Sequence, residues 1–595
     1  MTVPESFPFP ATVPLPNLVS SVERFLRWCE PLLTADEVRA TLRAAEEFLA
    51  SDALGHDVQR VLAAREQSAT GSWLDDFWDR RYLGRRSRIA MDANFFFLLE
   101  GDSGEQVDRA ARLTRALLEA QRTLRASASP GQLGEAFGRS RIPGISIDTT
   151  VWAPDSRHIV VLAKGQAFRV QVLDAARKPL CVERLVAAFR RAESLSESAN
   201  GGLRGVGRAT TLPRRDWALL RRTLKASVTS ARALEAIDSA LFIVSLDGAS
   251  PIGDQDSSAA LLHGDSANRW FDKSLSLIVF ANGVAGLNFE HSRIDGLSAS
   301  QLMTLLRTAE STAAGEGCES DGSVDVTPLH FEPDEDADRL IHAAGSRFAE
   351  AASRSVSRVL VFDEFGAEQV KRWSSSPDAF VQMAFQLANH DVRGKSGSTY
   401  ESISMAASGG RTEAMRVVTP ESVEFVIAMG DARYTAQQRW QAYRRAVDAH
   451  VARVSDCKHG RAPEQHLWQI AMLIEASGAQ VPSLFTSPGW RAMRDERMST
   501  SAVQADGVRV FGFGATGADC IGVAYSCRPD DISVHLHAAT EAAGEIDRFA
   551  EGVMESFRRI GVLLETAASR RSASLPTSRP CGPPIRPPRT SGGCG

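Results

Sequence analysis

The 595-residue sequence predicts a mixed α/β fold in two or more domains, on three observations. Helical spacing and buried-strand runs alternate along most of the chain. Two pairs of strands are joined by tight-turn residues, around 164–166 and at Asn282 and Gly283. Hydrophobic residues make up 43% against 24% charged, enough to fill a large core. The formal net charge of −5 gives no general basic field, so nucleic acid is not an expected partner and any anion site must be local.

The elements follow in order. The opening "MTVPESFPFPATVPLP" has Pro and Glu where a secretory signal needs basic and then apolar residues. Residues 17–66 read as helices: "SVERFLRWCEPLL" spaces its apolar residues by three and four, and "TADEVRATLRAAEEFL" opens with a threonine and two acids suited to a helix N-terminus. Residues 72–99 are dense in aromatics and should pack into the core. Strand signals become convincing at "RHIVVLA" and "FRVQVLD", a hairpin, and at "SALFIVSLD". In "SLSLIVFANGVAGLNFEH" the Asn-Gly pair joins two apolar runs and delivers His291 at a strand end. Residues 312–326, small, acidic and Gly-rich, form the best internal linker. Alternation resumes through "SRVLVFDEFG", "PDAFVQMAFQLANH" and "SVEFVIAMGD", and the Pro-, Gly-, Ser- and Arg-rich end reads as a disordered tail.

Eight cysteines, at 29, 181, 318, 457, 520, 527, 581 and 594, include no CxxC pair. Neither a zinc site nor a disulfide framework is expected, and this usage fits a reducing cytoplasm. No apolar run approaches the roughly 20 residues of a membrane span. The expectation is a cytoplasmic monomer without a membrane span.

His291 and Asp295 form an HxxxD element followed by Gly296. An imidazole with a pKa near 6.5 can take a hydroxyl proton at neutral pH and return it. Alone, this spacing is a weak signal, and it favours a strand-end histidine satisfied by hydrogen bonds over a catalytic one. The surrounding block is more specific. "HGDSANRWFDKSLSLIVFANGVAGLNFEHSRIDG" resembles the active-site signature of the choline/carnitine O-acyltransferase family. "PLPNLVSSVERFLRWCEPLL", "RIPG", "SPDAFVQMAFQLA", "TYES", "GRTEAMR" and "STS" resemble further family blocks, in family order, over about residues 13–565.

The resemblance implies two similar α/β domains of the chloramphenicol acetyltransferase type, with a tunnel between them. Its boundaries are 1–85 for a helical segment packing with the C-terminal domain, 86–333 for the catalytic-histidine domain, 334–567 for a C-terminal domain carrying coenzyme A and acceptor motifs, and 568–595 for the tail. It implies direct acyl transfer with His291 as general base, Asp295 organising its loop and Ser501 stabilising the oxyanion, Ser499 being the weaker candidate. Acyl-CoA is the implied co-substrate, with no tightly bound cofactor and no metal. Lys371, Arg372, Ser376 and Asp378 fall in the coenzyme A segment, whose other usual lysine is Ala367 here. That loss leaves open an acyl-carrier-protein donor.

For the acceptor, Tyr400 and Thr412 match positions that hold a carboxylate, but the family's arginine position is Gln465. Arg461 is a substitute close in sequence. The missing charge puts carnitine in doubt and leaves choline, or another alcohol of specialised metabolism, as alternatives. Phe511 aligns where a bulky side chain favours short acyl groups. A shifted alignment makes it a core residue and sets Phe513 beside the acceptor's ammonium. A non-catalytic binding protein on the same fold is the alternative of another class.

Overall fold

A computed structural model describes residues 13–50, 54–68, 73–101, 104–126, 131–198, 203–313, 324–405 and 411–574. Two large mixed sheets packed with helices organise them, the mixed α/β class that the alternating pattern predicts. The first sheet has eight strands, in the order Val508–Phe513, Phe95–Leu99, Ala285–Phe289, Leu275–Phe280, Ile243–Asp247, His158–Ala163, Gln166–Gln171 and Val326–Leu329. The second has six: Ser355–Phe362, Ile532–Ala539, Ile521–Cys527, Met498–Ala502, Thr399–Ser404 and Thr412–Arg416.

Both expected hairpins form. Lys164 and Gly165 turn at φ 49° and 75°, and Gly283 turns at φ 80° between Leu275–Phe280 and Ala285–Phe289. A β-carbon resists such φ values, which accounts for glycine in both turns. The end of the aromatic stretch 72–99 packs into the core as expected, and does so as the strand Phe95–Leu99. Its five residues are all buried because it pairs on both edges and is covered on both faces. Such a strand shows no alternation to read.

The first sheet's outermost strand, Val508–Phe513, comes from residues that the sequence boundaries assign to the C-terminal domain. The chain leaves the second sheet after Met498–Ala502 and, with five residues between, enters the first at Val508.

Helix Leu18–Cys29 and helix Ala35–Leu49, the latter with Thr34 and Glu37 closing a capping box, place Val22, Phe25, Trp28 and Phe48 in one core with Phe380, Phe385 and Phe557. A second core fills the space under the first sheet. The last helix, Ala543–Ser574, runs seven residues into the stretch read as tail, and 575–595 lie outside the described residues. The linker at 312–326 also falls largely outside them. Cys29, Cys457, Cys520 and Cys527 are free and buried, whereas Cys181 is disulfide-bonded, contrary to the all-reduced expectation. Among the described residues no helix is long and apolar enough to cross a membrane.

Candidate active site

The hairpin that ends at Phe289 hands the chain to Glu290 and His291. Three buried contacts hold this turn: Arg141 pairs with Glu290 at 2.9 Å, Ser292 donates its hydroxyl to Glu290 at 2.5 Å, and Glu290 N–H donates to the Ser274 carbonyl at 3.1 Å. Arg141 also meets Asp148 at 2.7 Å, and Asp148 in turn pairs with Arg214 at 2.7 Å. Asp272 of the "NRWFDK" block accepts from Arg214 and from the Trp217 indole, at 2.7 and 2.6 Å. Lys273 donates to Ser140 and to the carbonyls of Ile237 and Asp238. These charged motif residues are therefore buried struts behind the histidine turn.

His291 Nδ1 lies 2.7 Å from the Ile294 carbonyl oxygen. A carbonyl only accepts, so Nδ1 carries the proton and Nε2 is left with its lone pair. Asp295 Oδ1 is farther, 3.5 Å from Nδ1, and its Oδ2 faces Arg411 Nε at 3.4 Å. Burial pushes the imidazole below its ordinary value of 6.5, Asp295 opposing and Arg411 adding to that shift. The ring packs against Tyr82 and Phe95, each with centroids 5.0 Å away.

His291 opens on a cavity of about 530 Å³ between the two sheets. It gathers Tyr400, Thr412, Ser499, Ser501, Phe511 and Phe513 around the histidine, seven sequence candidates in one place. Alternation along Met498–Ala502 separates their neighbours: Thr500 donates to the Tyr400 carbonyl at 2.8 Å and accepts from Gln382 at 2.9 Å. Ser501 Oγ sits 3.1 Å from Ser402 Oγ. Phe511 packs edge-on against Phe95 and Phe97, with Phe513 5.8 Å away.

The remaining candidates lie apart from this cavity's lining. Gln465 is fully buried and donates through Nε2 to the Thr412 carbonyl at 3.0 Å. Arg461 is no substitute there: it pairs with Asp456 at 2.9 Å near the surface. Lys371 is exposed and paired with Glu368 at 3.0 Å, and Arg372 meets Gln369 at 3.4 Å. Ser376 caps helix Pro377–Arg393, accepting from Ala379 N–H. Asp378 accepts from the Tyr525 hydroxyl at 2.7 Å.

Sequence reasoning missed several walls of the cavity. Arg80, Arg81, Tyr82 and Arg85 come from the aromatic stretch read only as core, Ser402 from the end of "TYES", and Glu496 from an unremarked turn. It also missed one trio spaced closely enough to ligate a metal ion, Asp378, Glu401 and His450, from three distant positions. His450 and Glu401 are 2.9 Å apart, and burial lifts the Glu401 carboxyl to about 7.

Comparison with known proteins adds the family. The Choline/Carnitine o-acyltransferase family matches residues 13–555. The human Carnitine O-palmitoyltransferase 1, liver isoform, is 29% identical over 94% of this chain and 78% of its own. Human Carnitine O-acetyltransferase is 27% identical over 89% of each chain, and human mitochondrial Carnitine O-palmitoyltransferase 2 is 27% identical over 88% of this chain and 87% of its own. A solved structure, the first condensation domain of the CDA synthetase, covers 82% of this chain and 93% of its own at 11% identity and a TM-score of 0.37. A match spanning both sheets and every wall of the cavity identifies the chain as a member of the choline/carnitine O-acyltransferase family, and hence as an acyltransferase.

Proposed function

We propose that the protein moves a short acyl group from an acyl-CoA thioester to the hydroxyl of a small alcohol, directly, with His291 as general base. The observation that carries this reading is the Nδ1 contact to Ile294, which fixes the tautomer with Nε2 free, in a cavity shared with Ser501. His291 Nε2 takes the hydroxyl proton as the alcohol oxygen attacks the thioester carbon. The carbonyl oxygen becomes negative and receives the Ser501 hydroxyl proton as a hydrogen bond. Collapse breaks the carbon–sulfur bond, and the imidazolium returns its proton to the departing thiolate.

Asp295 organises the turn. With the Nδ1 proton committed to Ile294 at 2.7 Å, a relay through the carboxylate at 3.5 Å has no donor to use. Phe511, wedged among Phe95, Phe97 and Phe513, supports a short acyl group, since a long alkyl tail has to displace that cluster. Lys371 and Arg372, at the end of helix Ala367–Arg372, are the reading's phosphate contacts for coenzyme A.

Replacement of His291 by alanine is expected to lower kcat for acetyl transfer by about 10²–10⁴-fold with the fold intact by circular dichroism. Retained turnover removes His291 from the mechanism.

A further inference from the structure

The cavity carries a second hydroxyl beside Ser501 that the proposed mechanism leaves unused. Strands Thr399–Ser404 and Met498–Ala502 run parallel, with Tyr400 beside Ser499 and Glu401 beside Thr500. One step further along brings Ser402 beside Ser501, their Oγ atoms 3.1 Å apart. Both line the cavity that holds His291.

These two hydroxyls have only each other. Across the sheet, Ser402 lies opposite Ala414 and Ser501 opposite Ala524, so one row reads Ala-Ser-Ser-Ala over four strands. Neither alanine side chain can donate or accept. Among the described residues, no other hydrogen bond reaches Ser402 Oγ or Ser501 Oγ. Thr500, the residue between Ser499 and Ser501, differs: its hydroxyl donates to the Tyr400 carbonyl and accepts from the Gln382 amide. A hydroxyl carries one proton and two lone pairs. Between Ser402 and Ser501, therefore, one proton occupies the contact and the other is left for the cavity. A proton that Ser501 gives to Ser402 is lost to an oxyanion.

We infer that Ser402 is a positioning residue: it donates to Ser501 Oγ, so that the Ser501 proton points at the carbonyl oxygen as that oxygen becomes negative. The inference rests on the acyl-transfer reading above and adds a second member to its oxyanion side. Negative charge growing on the substrate draws the Ser501 proton toward it. Ser501 Oγ then becomes the better acceptor, and the bond from Ser402 strengthens with it. That gain arises on the way to the tetrahedral state, so its loss falls on kcat and leaves KM alone. Ser402 touches no reacting atom and acts through Ser501.

Steady-state kinetics on the full chain test this, with acetyl-CoA as donor and carnitine or choline as acceptor, whichever the parent turns over faster. Ser501→Ala is expected to lower kcat by about 10²–10³-fold. Ser402→Ala should lower it by about tenfold, with both KM values within about twofold of the parent. The double variant should be no slower than Ser501→Ala alone, because Ser402 then has nothing to position. Circular dichroism checks that each variant is folded. Parental kcat in Ser402→Ala, a raised KM with kcat unchanged, or losses that multiply in the double variant overturn the inference. His291→Ala separates it from the reading beneath it. If that variant loses turnover while Ser402→Ala keeps the parent's, the base assignment stands and the hydroxyl pair falls. If it keeps turnover while the two serine losses do not multiply, the base assignment falls and the pair stands. A parent that turns over neither acceptor overturns both.

Discussion

In the proposed mechanism, the surroundings of His291 suit it to act as a base at neutral pH. Burial disfavours the imidazolium most, Asp295 pulls the other way, and Arg411 sides with burial. The base form is the neutral ring, so a lowered pKa keeps the base available further into acid. The acidic limb of kcat/KM is therefore expected below 6.5, the ordinary histidine value, with a flat profile through neutrality. Asp295→Asn removes the charge that raises the pKa and should move the limb lower still. A wild-type limb at or above the ordinary value contradicts this account. Phe511 sets the second residue-scale expectation. Phe511→Gly should raise the octanoyl-to-acetyl ratio of kcat/KM by at least about tenfold, because several methylenes gain room. The same change empties a buried ring position and should cost about 3–5 kcal/mol in denaturant unfolding. That His291, Ser501, Tyr400 and Thr412 would gather at one cavity was legible through the family resemblance of the blocks that hold them. Arg81 and Ser402 were not, because their meaning depends on which distant side chains they meet.

At the scale of elements, legibility followed local chemistry. Asn282 and Gly283 announce a hairpin because the turn demands positive φ, and the Thr34 and Glu37 spacing announces a helix start because it caps two backbone donors. Phe95–Leu99 gave no such signal: a strand covered on both faces is apolar throughout and reads as core. Helix Asp75–Leu83 shows the converse. Its aromatics were visible, but Tyr82, stacked at 5.5 Å on the buried Trp78, lines the cavity as well as meeting the core. The turn that carries His291 is an element held by buried charge. Arg141→Ala leaves Glu290 without its cation and should destabilise the protein by about 3–5 kcal/mol, measured by urea titration. Transfer activity should fall further than the loss of folded protein explains, since Glu290 precedes the histidine.

At the scale of the whole molecule, the chain links the two large sheets by sending a strand from one into the other. Strand Val508–Phe513 pairs along the full length of Phe95–Leu99, so a cut at the expected domain boundary leaves the first sheet without its outermost strand. An isolated fragment of residues 1–333 is expected to expose a long apolar edge and aggregate. Adding a separate fragment of 334–574 should restore solubility by size-exclusion chromatography, and a soluble, folded 1–333 fragment on its own counts against this. The sequence could not announce the exchange, because strand pairing across some 400 residues leaves no local pattern.

That crossing gives the five residues 503–507 a role of their own. Ser501 and Phe511 are ten residues apart in the chain yet belong to facing sheets. In the proposed mechanism, the connector between them is a spacer whose length sets the gap across which donor and acceptor would meet. Lengthening it by a residue or two would change the separation of Ser501 and Phe511 across the cavity while leaving both side chains in place.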